Sequence, residues 1–150
     1  MKVVRSFSVM VVVGLASPRL WAAAPADQYT YTAQSDTVED LKSGLTWQRG
    51  YSATQMSWGN ADAYCHALGL GGFSSGWRLP TKSELETLVD VSTSNPAIDG
   101  AAFPGTPSEA FWTSTLYASS GSGSAWLIYF FDGHSNYYAM PLSYRVRCVR

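Results

Sequence analysis

Charge is scarce in this sequence: Asp, Glu, Lys and Arg together make up 14% of 150 residues. Ten basic residues against eleven acidic ones leave a formal net charge of −1, so no basic excess of the kind that drives nucleic-acid binding is present. Histidine and cysteine are scarcer still, with two of each. Neither His66 nor His134 has the close Cys or His partners of a zinc site. A phosphate-cradling P-loop is missing, and so is any internal repeat. Low charge does not mean disorder here, because 46% of the residues are hydrophobic and 14% are aromatic, enough to build the core of one domain.

What is present begins with an address. Lys2 and Arg5 precede an apolar stretch over residues 6–16 that contains Val9-Met10-Val11-Val12-Val13. Small residues then cluster at Ala22-Ala23-Ala24-Pro25-Ala26. Basic, apolar and small, in that order, is the pattern of a secretory signal peptide, and 11 residues are too few to span a bilayer. Cleavage after Ala26 is preferred to cleavage after Ala24, where Pro25 hinders the peptidase. The chain therefore divides into a signal peptide, 1–26, and a domain, 27–150, that is secreted or periplasmic and has no transmembrane anchor. Processing removes Lys2, Arg5 and Arg19 and leaves 7 basic residues against 11 acidic ones, a net charge of −4. Cys65 and Cys148 both survive it. In an oxidising compartment two cysteines most simply form one disulfide, with a pair of free thiols as the alternative.

Residues 37–40 and 45–48 read as strands joined by a turn at Leu41-Lys42-Ser43-Gly44. Ser57 is placed as an N-cap, after which Trp58, Ala61, Cys65 and Leu68 recur at helical spacing until Gly69 stops the helix. Beyond a glycine-rich loop, Thr81 and Glu84 form a T-x-x-E capping box that opens a second helix with Leu85, Leu88 and Val89 on one face. From 90 to 110 no period holds, and Pro96, Pro104 and Pro107 break any regular element. Residues 111–116 are strand-like, 118–124 form a Gly/Ser connection, and 125–131, apolar on both faces, is a central strand. Asp132-Gly133 marks a turn, 137–142 returns, and 145–149 closes the domain as a last strand. The predicted class is α+β, two helices with a small antiparallel sheet.

Several of these segments carry a resemblance. They are Ser43-Gly44-Leu45-Thr46-Trp47, Tyr64-Cys65, Trp77-Arg78-Leu79-Pro80-Thr81 with Glu84-Leu85, Phe111-Trp112-Thr113-Ser114, Asp132-Gly133 and Arg145-Val146-Arg147-Cys148-Val149. Together, and in this order, they resemble the Lcl C-terminal domain family, named for the end domain of a bacterial collagen-like adhesin. The resemblance implies a variant of the C-type lectin-like fold, in which a first-helix cysteine bridges to the last strand; Cys65 and Cys148 fit those two places. It also implies recognition of sulfated polysaccharide, against which the acidic balance of the mature domain weighs. Arg78-Leu79-Pro80-Thr81 with Glu84 is similar to a segment of formylglycine-generating enzymes as well. Those enzymes depend on copper-binding cysteines, and a structural bridge leaves none for that chemistry.

The catalytic and metal readings are weak individually. Glu84 and Glu86 lie two apart on a helix and point to different sides, a poor pair for glycoside cleavage. Asp99, Glu109 and Asp132 are hard-oxygen donors for calcium only if the fold gathers them, and no cofactor is expected. The chain is read as a non-enzyme. What remains is binding, because 19 of the 124 mature residues are aromatic and sugar rings stack on exposed aromatic faces. Tyr117, beside the Gly/Ser loop, and Tyr137 and Tyr138, after the Asp132-Gly133 turn, are the candidates for exposure. Adjacent Tyr137 and Tyr138 face opposite sides of a strand, so one surface takes only one of them. Arg145 and Arg147 share one strand face and are candidates to meet sulfate or carboxylate. The expected function is an adhesin-like recognition domain for glycan or polysaccharide. The competing reading is a structural or protein-interaction module of the cell envelope whose partner is an envelope or host-surface protein.

Overall fold

The computed structural model describes residues 27–118 and 123–150. The expected signal peptide and the middle of the Gly/Ser connection lie outside the described residues. Eight elements follow in order: β1 (Tyr29–Thr30), β2 (Thr37–Asp40), β3 (Leu45–Gln48), α1 (Trp58–His66), α2 (Lys82–Glu86), β4 (Ala110–Leu116), β5 (Ser124–Tyr129) and β6 (Ser135–Ala139). The α+β class holds, but the strands form two three-stranded antiparallel sheets, β1-β2-β3 and β4-β5-β6, rather than one.

The β2–β3 hairpin is fixed by its turn. Gly44 takes a φ of +72°, a conformation that costs a residue with a Cβ. Buried Asp40 then satisfies the turn: its carboxylate accepts from the Lys42 amide at 3.0 Å and from the Ser43 hydroxyl at 2.7 Å. Val38 thereby lies opposite Trp47, both fully buried. β1 escapes sequence reading because two residues show no period.

Helix α1 starts after Ser57, as the spacing predicts, although the Ser57 side chain makes no capping bond. It ends at His66 with Ala67 as C-cap, two residues before the glycine expected to stop it. Ala61 and Cys65 are its buried residues. Helix α2 is a single turn and a half, opened by the predicted capping box: the Glu84 amide donates to the Thr81 hydroxyl at 3.2 Å and the Thr81 amide to the Glu84 carboxylate at 2.8 Å. It ends before Leu88 and Val89, yet Leu88 is still buried beside Leu85. The stretch from 90 to 109 is irregular, as expected, and contributes Ala97, Ile98, Ala102 and Phe103 to the interior.

The second sheet is packed on both sides, which explains why 125–131 reads as apolar throughout. Phe111, paired with Ile128, faces one cluster together with Phe130, Leu85, Phe103 and Trp47. Trp112, paired with Leu127, faces the other with Ala125, Trp77, Leu79 and Val146. A burial of this kind stabilises by about 1.5–3 kcal/mol per large side chain.

The C-terminal residues correct the sequence reading. They form no strand; their backbone partners alternate between the two halves of the molecule. Arg150 exchanges bonds with Thr46 at 2.9 Å each way, the Cys148 carbonyl accepts from Gln48 at 2.9 Å, and Val149 pairs with Arg78. The Arg145 carbonyl accepts from Trp112 at 3.0 Å. Cys65 and Cys148 are joined by a disulfide with Cα atoms 5.5 Å apart, tying α1 to this segment.

Candidate functional site

Past Trp112 the β4–β5 register shifts before Leu116. Thr113, fully buried, compensates by donating its hydroxyl to the Trp126 carbonyl at 2.8 Å. The irregularity turns β4 towards α2: the Ser114 amide donates to the Pro80 carbonyl at 2.7 Å, and the Lys82 amide to the Thr115 hydroxyl at 2.9 Å. Helix α2 is thus docked over the far end of the second sheet. There Trp126 continues the row begun by Phe130 and Ile128, at alternate positions of one face.

Around Trp126 three rings gather. Tyr137 is its cross-strand partner, on the same face, with centroids 5.5 Å apart and planes at 74°. Tyr117 meets Trp126 at 5.8 Å and 72°, and lies flat on Tyr137 at 3.6 Å with planes 4° apart. Hydrogen bonding to the Tyr137 hydroxyl and its proximity push the Tyr117 hydroxyl's pKa up. The Tyr117 amide donates to the Ser124 carbonyl at 2.9 Å and closes the base of the Gly/Ser connection. Leu116, Tyr117, Ala118 and Trp126 line an open depression of about 500 Å³. Apolar surface is open to solvent here: Leu116 is 54% exposed, and Tyr137, stacked on Tyr117, is 41% exposed.

One charged pair borders the rings. The Lys82 ammonium stands 5.1 Å from the Trp126 ring centroid, within cation–π range, and is ion-paired to Glu86 one helical turn on. Glu84 and Glu86 do diverge on α2. Glu84 turns to Arg78, whose guanidinium donates at 2.7 and 2.8 Å to its two oxygens, and this bonding holds the Glu84 carboxyl at about 2.

Of the residues singled out from sequence, the fold brings Tyr117 and Tyr137 together and sends Tyr138 to the opposite face, as strand alternation requires. There Tyr138 lies 5.6 Å from Tyr144 and 6.4 Å from Tyr129, packed against the interior. Burial foremost, then hydrogen bonding among these hydroxyls, pushes the Tyr129 pKa up and keeps it protonated.

The two arginines do not stand on a strand, and each guanidinium is engaged within the protein. Arg145 donates to Glu109 at 2.7 Å and to the Ala53 and Ser52 carbonyls at 2.8 and 3.2 Å, bracing the C-terminal segment against the loop before α1. Arg147 is wholly buried. It donates to the Gly50 carbonyl at 2.9 Å and the Thr106 hydroxyl at 2.8 Å, and its guanidinium lies 4.6 Å from the Phe103 ring and 5.7 Å from Phe111. Desolvation lowers its pKa to about 9, which still leaves it charged at neutral pH.

The hard-oxygen candidates are dispersed as well. Asp99 accepts from the Ala101 and Ala102 amides, Glu109 from Arg145, and Asp132 from His134. Among the described residues no group of three His, Cys, Asp or Glu side chains is placed to hold a metal ion.

Sequence reasoning missed two features. Trp126 carried a signal, since it stands at an alternate position of an apolar strand next to a Gly/Ser loop, and Lys82 with Glu86 carried another in their spacing of four. The run Gly72-Phe73-Ser74-Ser75-Gly76 also has the G-x-S-x-G spelling of a nucleophile elbow. An elbow needs a strand before the serine and a helix directly after it. Here Phe73 of the run closes an isolated bridge to Leu70 with no strand before the serine, and α2 opens only at Lys82. The histidines are engaged elsewhere, His66 with Asp62 and His134 with Asp132 and the Tyr129 ring.

Residues 36–150 match the Lcl C-terminal domain family, and the chain belongs to that family. A comparison with curated proteins gives no match. Among the described residues no helix is long and apolar enough to cross a membrane.

Proposed function

We propose that the protein is an exported, non-catalytic recognition domain that binds glycan in an adhesin-like role, with the Tyr117–Trp126–Tyr137 cluster as its binding surface. One observation carries the reading: these rings are packed on one another, with Tyr117 and Trp126 lining an open depression and Tyr137 exposed beside them, whereas Trp47, Trp77 and Trp112 are sealed in the interior. Ring faces and edges held in place by mutual packing suit the axial C–H groups of a sugar, and pre-ordered contacts lower the entropic cost of binding. Membership of the Lcl C-terminal domain family supports the adhesin-like role. The buried Cys65–Cys148 bridge supports export to an oxidising compartment, and its link from first helix to C-terminal segment supports the C-type lectin-like variant of the fold. The leader pattern over 1–26 points the same way.

The test is a glycan array of neutral and sulfated polysaccharides probed with the purified protein, in calcium and in chelator. Saturable binding that survives chelator and is lost in Tyr137→Ala, with the near-ultraviolet circular dichroism of the fold retained, is the expected result. A blank array from folded, disulfide-bonded protein overturns the glycan reading in favour of an envelope interaction module.

A further inference from the structure

The binding surface is bordered by opposite charges that neutralise one another, and this bears on which glycans it takes. Lys82 is the cation over the Trp126 ring, and Glu86 occupies it. Both are partly shielded, with side chains 26% and 37% exposed, so the pair sits against the rings rather than free in solvent. The arginines around the fold are committed elsewhere, Arg78 to Glu84, Arg145 to Glu109 and Arg147 to the interior. An acidic sugar arriving at this surface must displace Glu86 from Lys82 or lie beside its carboxylate, and the net −4 of residues 27–150 adds to the repulsion. A neutral sugar meets no such opposition. It can stack on the rings while the Lys82 ammonium and Glu86 carboxylate offer a donor and acceptors to its hydroxyls.

From this we infer that the Lys82–Glu86 pair is the specificity element of the site, making it selective for neutral over sulfated or carboxylated glycans. The inference rests on the glycan reading above and deepens it. Glu86 acts as a built-in competitor for the Lys82 ammonium at the rings. Removing its charge while keeping its shape converts the surface into one that favours anionic ligands.

The experiment uses maltohexaose, laminarihexaose and chitohexaose, each beside its O-sulfated derivative, titrated against the protein with Trp fluorescence and calorimetry as readouts. The wild type is expected to bind at least one neutral oligosaccharide better than its sulfated counterpart. Glu86→Gln is expected to shift the sulfated-to-neutral affinity ratio upward by roughly two- to fivefold, the scale of one exposed charge pair, and the shift is expected to fade as salt rises. In the double variant Lys82→Met with Glu86→Gln the gain for sulfated ligands is expected to vanish, because the cation it depends on is gone. A wild-type preference for the sulfated member, or a ratio unmoved by Glu86→Gln in protein of unchanged circular dichroism, overturns the inference while leaving glycan binding intact. Silence of the wild type towards all six oligosaccharides and towards the polysaccharide array overturns the glycan reading and this inference with it.

Discussion

Severing the Cys65–Cys148 bridge is the perturbation with the largest calculable effect. The bridge closes a loop over a sequence separation of 83 residues, and in the chain-entropy model this constrains the unfolded state by about 4.5 kcal/mol at 25 °C. Both cysteines are fully buried, so replacing them by alanine adds the loss of two packed sulfur atoms, about 1 kcal/mol each. A single domain has a total stability of about 5–15 kcal/mol, so the loss is a third or more of what is available. Urea titration of the oxidised wild type, the reduced wild type and Cys65→Ala with Cys148→Ala separates the parts. Reduction keeps the sulfur atoms and reports the loop term; the double variant reports loop and packing together. If the bridge acts on the unfolded chain, the m-value also rises when it is cut, because an unlinked chain exposes more surface. A double variant within about 1 kcal/mol of the wild type, with an unchanged m-value, would refute the loop-entropy reasoning.

Three other perturbations are sharply defined. Glu84 has its pKa lowered from 4.5 to about 2, first by its hydrogen bonds with Arg78, so its contribution is complete above pH 4.5 and is lost as pH falls towards 2. Discounted for the 40% exposure of the Arg78 side chain, Glu84→Gln is expected to cost about 1–2 kcal/mol at pH 7, with the two stability curves converging by pH 2 in acid titrations followed by circular dichroism. Gly133→Ala combines a φ of +85° with a Cβ 2.3 Å from Val89 Cγ1, whereas Gly44→Ala has a φ of +72° and open space around it. The first is expected to cost about 2–3 kcal/mol and to be partly rescued by Val89→Ala, the second about 1 kcal/mol, both read from urea midpoints. Arg147→Met removes a buried charge but leaves the Gly50 carbonyl without its donor and the Thr106 hydroxyl with only its bond to the Phe103 carbonyl; the lost bonds win, and thermal unfolding is expected to report a net loss of about 1–3 kcal/mol.

Local chemistry was legible and long-range chemistry was not. The Thr81–Glu84 capping box and the hairpin at Gly44 are decided by residues three or four apart, and both stand where the sequence puts them. The alternation of Tyr137 and Tyr138 was equally readable, because a strand leaves no other choice. The extents of α1 and α2 were overread: hydrophobic spacing continued through Leu68, Leu88 and Val89, but backbone bonding stopped first, and tertiary burial of Leu88 mimics helical periodicity. The arginines show the harder limit. Alternation put Arg145 and Arg147 on a common strand face, but no strand forms there, and partners 36 to 97 residues away decide where each guanidinium goes. Trp126 was the intermediate case: a strand apolar on both sides gives no cue of its own to where cover ends, and only the adjoining Gly/Ser loop marks that end.

The alternating partnership of the C-terminal segment sets a timetable. Residues 145–150 supply bonds to Thr46, Gln48, Arg78 and Trp112, and Cys148 is the partner of Cys65. Because synthesis proceeds from the N-terminus, the earlier residues emerge with these positions vacant and one thiol waiting for the other. Neither half of the molecule can be sealed until residues 145–150 are in place. Closure of the two halves is therefore a single event that waits on one short segment, and residues 27–144 cannot complete it alone.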